Sequence, residues 1–206
     1  MHPYKIISRG ASLQDADHAM ILLHGRGGTP QDMLDLAQRF VNKEWHLAAP
    51  LAANSTWYPF SFMAPREKNE PWLSSAIGVV QRLIDEVNAH IPFDHIHVMG
   101  FSQGACLTTE VIARTPHQYG GVYAFTGGLI GEHIDRSLYI GDLRATPVYL
   151  SNSDDDPHVP LKRSKETLEV LEALGAKVTL DVFPGRQHTI DPQEIDRVRG
   201  LMAATA

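Results

Sequence analysis

Cysteine is almost absent from the chain: Cys106 stands alone in 206 residues. An internal disulfide and a cysteine-built zinc site are therefore excluded. Basic charge is also in deficit, with 18 Lys and Arg against 24 Asp and Glu and a formal net charge of −6. A nucleic-acid or anionic-membrane partner usually selects the opposite balance, so no nucleic-acid partner is expected. No apolar run approaches the roughly 18 residues of a membrane span, so stable membrane insertion is not expected either. The opening Met1-His2-Pro3-Tyr4-Lys5 lacks the apolar core of a secretion signal, and a cytoplasmic location is the expectation. What is present is ordinary for a globular chain, with 43% apolar and 20% charged residues. Disorder, collagen and coiled coil fit that composition poorly. The length suits one domain over residues 1–206 with a sizeable core.

Short β-branched runs alternate with longer helical patterns. Ala19-Met20-Ile21-Leu22-Leu23 is a continuous apolar run suited to a strand buried on both faces. It stops at His24-Gly25-Arg26-Gly27-Gly28, and a helix follows with Thr29 as N-cap and Pro30 at its first position. His46 to Ala49 is a brief strand; residues 50–71 read as a long connection of the kind that forms lids. A helix runs from Pro71 to about His90, a strand from Ile96 to Met99, and a helix from Gly104 to about Arg114. Strands follow at Gly121–Phe125 and Pro147–Leu150, separated by a glycine-rich stretch, 127–143, that receives no assignment. A helix from Leu161 to Leu174 stops at Gly175, and Lys177 to Phe183 alternates as a strand. The last helix opens at Asp191-Pro192-Gln193-Glu194, with the spacing of a capping box. The alternation defines an α/β domain with a mostly parallel sheet.

Gly100-Phe101-Ser102-Gln103-Gly104 matches G-x-S-x-G between a strand and a helix. A nucleophile elbow needs that setting, because a sharp strand-to-helix turn pushes the serine out at the top of the sheet. The plain alternative is a glycine-containing turn with Ser102 as a helix N-cap. A serine hydroxyl attacks only when a base removes its proton and a carboxylate orients that base. The expected chain order is Ser, acid, His. His188 lies between the last strand and the last helix, where a parallel sheet presents residues to a site. His117 and His133 read as exposed surface residues. The acid belongs in Ser153-Asp154-Asp155-Asp156-Pro157-His158, after a strand. A solvated acidic turn accounts for two of the three Asp, and a calcium loop lacks its usual glycine and distal Glu. Asp154 competes with Asp156, although Pro157 restricts Asp156 to an extended conformation and so fixes its direction. Backbone N–H groups suit an oxyanion site: Gln103 after the nucleophile supplies one and the His24–Gly27 loop the other. His24 reads as a brace of that loop, and Cys106, one helical turn past Ser102, as a small buried side chain.

Leu22-Leu23-His24-Gly25-Arg26-Gly27, the Ser102 elbow, Asp156-Pro157-His158-Val159-Pro160 and His188 together resemble the phospholipase/carboxylesterase family of α/β-hydrolases. That family includes acyl-protein thioesterases and small bacterial carboxylesterases, and the likeness covers nearly the whole chain. It implies a single α/β-hydrolase domain with helices on both faces of the sheet, no cofactor and no metal, and dimers in several members. Carried over by position, Ser102 would be the nucleophile, His188 the base, Asp156 its orienter, and the Arg26 and Gln103 amides the oxyanion donors. The chain departs from the family at Arg26, where the thioesterases usually carry Leu. It departs again at Ala105-Cys106, where Gly-Ala is more familiar, and through residues 54–72.

The expected activity is hydrolysis of small carboxylic esters, with thioesters as further substrates, through an acyl-enzyme. The alternative from another class is a binding module that uses the same pocket without chemistry; loss of a triad residue would favour it, and none is lost. Trp57, Tyr58, Phe60, Phe62, Met63 and Trp72 are too apolar for an ordinary exposed loop. As substrate contacts their bulk implies a short cavity and short acyl chains; as a satellite core they imply nothing about substrate. The Arg26 side chain is either a mouth residue that favours anionic substrates or a surface arginine paired with a carboxylate.

Overall fold

The computed structural model describes residues 1–203. Its strands are β1 (Ile6–Gly10), β2 (Ala19–Leu23), β3 (His46–Pro50), β4 (Ile96–Phe101), β5 (Gly121–Phe125), β6 (Pro147–Ser153) and β7 (Lys177–Phe183). Its helices are α1 (Pro30–Ala37), α2 (Arg66–Asn69), α3 (Trp72–Asn88), α4 (Gln103–Arg114), α5 (Leu161–Ala173) and α6 (Pro192–Ala203). The strands form one seven-stranded sheet in the order β1-β3-β2-β4-β5-β6-β7. Only β1 runs antiparallel, against β3, so this is the mixed but mostly parallel sheet of an α/β-hydrolase fold.

Central strands are buried on both sides, which is why β2 carries no polar residue. Ala19, Ile21 and Leu23 face one core with α3, α4 and α5, while Met20 and Leu22 face a second core with α1 and α6. Helices therefore cover both faces. The turn into α1 is set by reciprocal capping: Thr29 Oγ1 accepts the Asp32 N–H at 3.3 Å and Asp32 Oδ2 accepts the Thr29 N–H at 2.7 Å. The α3 face at Leu73, Ala76, Ile77, Val80, Leu83, Ile84 and Val87 packs on the sheet, as its spacing predicts. No helix among the described residues is long and apolar enough to cross a membrane.

The unassigned stretch 127–143 is irregular but largely tied down through its backbone. Buried Glu110 on α4 accepts the Ile130 N–H at 3.1 Å and the Tyr139 hydroxyl at 2.9 Å. The same carboxylate pairs with Arg66 of α2 at 2.8 Å and with Arg114 at 2.6 Å. From α5, Arg163 Nη1 donates to the carbonyls of Leu129 and Gly131 at 2.8 and 2.7 Å. Main-chain anchoring of this kind leaves no hydrophobic period to read.

Candidate active site

The loops after β2, β4, β6 and β7 converge at the carboxyl ends of the strands, the edge where parallel α/β sheets bind ligands. Ser102 lies between β4 and α4 at φ 54°, ψ −117°. Its side chain makes no capping bond to the helix, which removes the plain N-cap alternative. Gly104 is demanded by the turn: a Cβ there would stand 2.0 Å from the Leu23 carbonyl oxygen. The β2 loop also comes in close, since a Cβ on Gly25 would lie 3.4 Å from Ser102 Cβ. That brings the loop carrying Arg26 up against the turn at Ser102, while Gln103 opens α4 with an amide that no helical carbonyl reaches.

His188 Nε2 lies 2.7 Å from Ser102 Oγ, and His188 Nδ1 lies 2.8 Å from Asp156 Oδ2. The Asp156 carboxylate is fully buried and its other oxygen accepts the N–H groups of His158 and Val159 at 2.9 and 2.8 Å. Burial works to raise its pKa; the bonds from His188 and the two amides outweigh that and hold it below the ordinary aspartate value. Asp154 is directed elsewhere: its Oδ1 accepts the Gly185 N–H at 2.8 Å and braces the His188 loop. Asp155 is exposed. His117 and His133 are exposed and away from the cavity. His24 is buried, with Nδ1 2.8 Å from the Gly25 carbonyl and Nε2 accepting the Ala52 N–H at 3.3 Å, a brace as its position suggests.

A cavity of about 450 Å³ opens above Ser102, walled by Tyr58, Phe60 and Phe62, with Cys106 and Val159 also lining it. Three residues expected as substrate contacts are not among its walls. Trp57 is wholly buried and donates its indole N–H to the His24 carbonyl at 2.8 Å, so its ring fills core. Trp72, at the start of α3, packs edge-on against His2, and Met63 lines a different hollow beside α5. Apolar content marked the segment as buried without saying which cavity it borders. His158 and Val159 are contacts that the sequence did not suggest; His158 also meets His188 edge to face at 4.9 Å. Their only sequence signal was their place in the Asp156–Pro160 run.

The Arg26 side chain meets neither a carboxylate nor open solvent alone. Its Nη1 donates to the Pro59 carbonyl at 3.1 Å, and Nη2 to those of Tyr58 and Phe60 at 2.9 Å each. Gln103 seizes the same segment: its Nε2 donates to the Tyr58 carbonyl and its Oε1 accepts the Trp57 N–H, both at 2.8 Å. The cavity wall is thus clamped by the side chains of both Arg26 and Gln103. The Cys106 thiol is pushed up to about 12 by burial, with weaker opposing help from neighbouring hydrogen bonds, and stays protonated near neutrality.

This fold, with these loops at its carboxyl edge, is that of an α/β-hydrolase, and the protein is a hydrolase. The model of the Phospholipase/Carboxylesterase family matches residues 6–205, and the chain belongs to that family. A phospholipase/carboxylesterase of known structure from Dyadobacter fermentans is 44% identical, with TM-score 0.96 over 98% of this chain and 97% of its own. A probable carboxylesterase, SOBER1-like, from Arabidopsis thaliana is 26% identical over 194 residues, 85% of this chain and 74% of the relative. An acyl-protein thioesterase 1 from Eremothecium gossypii is 26% identical over 222 residues, covering 98% of this chain and 92% of the relative. These likenesses bring an esterase or thioesterase type of chemistry to the chain.

Proposed function

We propose that the protein is a serine carboxylic-ester hydrolase acting on short acyl chains through an acyl-enzyme on Ser102. The observation that carries this reading is the unbroken Ser102–His188–Asp156 chain of contacts, at 2.7 and 2.8 Å, on the floor of the cavity. His188 Nε2 takes the Ser102 proton as Oγ attacks the acyl carbon. The Asp156 carboxylate keeps the Nδ1 proton in place and stabilises the imidazolium that forms. Negative charge moves onto the carbonyl oxygen, where the fixed amides of Arg26 and Gln103 receive it without reorganisation. Collapse breaks the bond to the leaving oxygen, which departs as the alcohol with the proton from His188. Water then adds to the acyl carbon by the same route and frees Ser102 as the acid leaves. A thioester follows the same steps with a thiol leaving.

Chain length is the test of the substrate reading. The cavity must hold both sides of the ester, and the Tyr58 and Phe62 rings that bound it are 1% and 6% exposed, too firmly packed to swing aside. Across acetyl, butyryl, octanoyl and palmitoyl esters, kcat/KM is expected to be highest for the first two and to fall by roughly tenfold or more for the last. Palmitoyl turnover above acetyl would overturn the short-chain assignment, and no turnover of any ester or thioester would overturn the activity.

Arg26 supplies a second expectation. Because its guanidinium holds the 58–60 wall, Arg26→Leu should slow neutral and anionic esters by similar factors of about ten, the loss of charged-donor hydrogen bonds. Parallel kinetics on an acetyl ester and a hemisuccinate ester check this. Slowing of the anionic ester alone would assign the arginine to charge selection instead.

A further inference from the structure

His188 is carried by residues 184–191, all of them half-exposed or exposed, so its aim needs an anchor. Arg186 supplies one. Its side chain is only 7% exposed and its Nη1 pairs with the fully buried carboxylate of Glu194, in the first turn of α6. Glu194 Oε2 also accepts the Asp191 N–H at 2.5 Å, which ties the far end of the same loop to the same carboxylate. The other guanidinium arm, Nη2, donates to Thr126 Oγ1 at 2.7 Å. The guanidinium carbon lies 5.4 Å from the Phe183 ring centre, at the end of β7.

Thr126 is no neutral partner. It follows Phe125, the last residue of β5, and the Phe125 carbonyl accepts the Ser102 N–H at 2.9 Å. Thr126 is itself fixed at φ 56° with its N–H bonded to the Ser151 carbonyl at 2.9 Å. A closed circuit results. It runs from Ser102 N to Phe125 O, along the chain to Thr126, across to Arg186, along the chain to His188, and back through Nε2 to Ser102 Oγ. A buried ion pair is a poor way to add stability, because apolar groups of the same volume often do as well. It is a good way to fix one geometry.

From this circuit we infer that Arg186, gripped by Glu194 and seated on Thr126, is a positioning residue that sets the reach of His188 Nε2 to Ser102 Oγ. The inference rests on the reading of His188 as the base of an ester hydrolase. Arg186 touches no substrate; it acts through the imidazole, so it should weigh on kcat rather than on KM.

The test uses the full chain and its best ester from the chain-length series. Thr126→Val keeps the branched shape and replaces the hydroxyl that accepts from Arg186 with a methyl group. It is expected to lower kcat about tenfold with KM little changed, the loss of one hydrogen bond from a charged donor. Fluorophosphonate labelling should slow by the same factor, and the low-field NMR signal of the His188 Nδ1 proton should broaden. Thr126→Ser, which keeps a hydroxyl, should recover most of the lost rate. Arg186→Met is expected to lose more than Thr126→Val. Rates are taken per site labelled at completion, so an unfolded fraction does not register. Wild-type kcat in Thr126→Val, or a Thr126→Ser variant as slow as Thr126→Val, would overturn the positioning role. Retained turnover in Ser102→Ala would instead overturn the reading beneath it, which keeps the two failures distinct.

Discussion

Ser102→Ala should reduce ester hydrolysis by roughly four to six powers of ten in kcat, as loss of a serine nucleophile does in other hydrolases. Cys106 cannot take over the attack. The Cys106 thiol lies within reach of the same space, yet burial pushes it up to about 12, so almost no thiolate exists at neutral pH. The variant should fold as the parent does, because Ser102 contributes no helix cap and alanine bears the same backbone angle. The measurement is kcat on a short-chain ester beside a thermal melt. Activity within tenfold of wild type in a well-folded Ser102→Ala protein would dismiss the nucleophile.

Asparagine substitution along 154–156 should divide the three acids sharply. Asp156→Asn is expected to lower kcat by about 10⁴, the effect of such a change in a serine protease triad. The physical reason is the tautomer: an amide nitrogen facing His188 Nδ1 at 2.8 Å would donate where the carboxylate accepts, and the ring would present a protonated Nε2 to Ser102. The two amides on Asp156 Oδ1 keep the side chain from rotating to correct this. Because Asp156 is held below the ordinary carboxylate range, it stays ionised wherever the imidazole works as a base. Asp154→Asn leaves an oxygen able to accept the Gly185 N–H, so a change of only a few-fold is expected. Steady-state kinetics of the two variants decide it: a collapse in Asp154→Asn beside a near-normal Asp156→Asn would transfer the orienting role.

Strand–helix alternation was legible because central parallel strands are continuous apolar runs and the helices between them keep one apolar face, as β2 and α3 do. β1 went unread for the opposite reason. Its Ile6-Ile7-Ser8-Arg9-Gly10 is a half-exposed edge that pairs only with β3, so no apolar run marks it. β6 runs on through Asn152 and Ser153, past its apolar residues, because polar Asn152 is satisfied internally by the Val159 carbonyl and Ser164 at 2.9 Å each. At the site, the elbow and the His188 loop announce themselves through local chemistry. The cavity walls do not, since whether Trp57 or Val159 borders a cavity is decided by how separate loops meet. The side-chain partners of Arg26 and Arg186 escaped for a related reason: Arg26 holds the carbonyls of Tyr58 and Phe60, and Arg186 the hydroxyl of Thr126, all distant in the chain.

The Ser102 backbone angle has a thermodynamic side that is independent of turnover. A non-glycine residue held outside its favoured wells costs about 1–3 kcal/mol, against a whole-domain margin of roughly 5–15 kcal/mol. Every folded molecule bears that cost, substrate or none, at φ 54° and ψ −117°. The residue that would relieve it is glycine, which also removes the hydroxyl. If Ser102 is the nucleophile proposed above, the least strained chain and the working chain differ at this position, and the surplus that sustains the working one comes from the two cores on either side of the sheet.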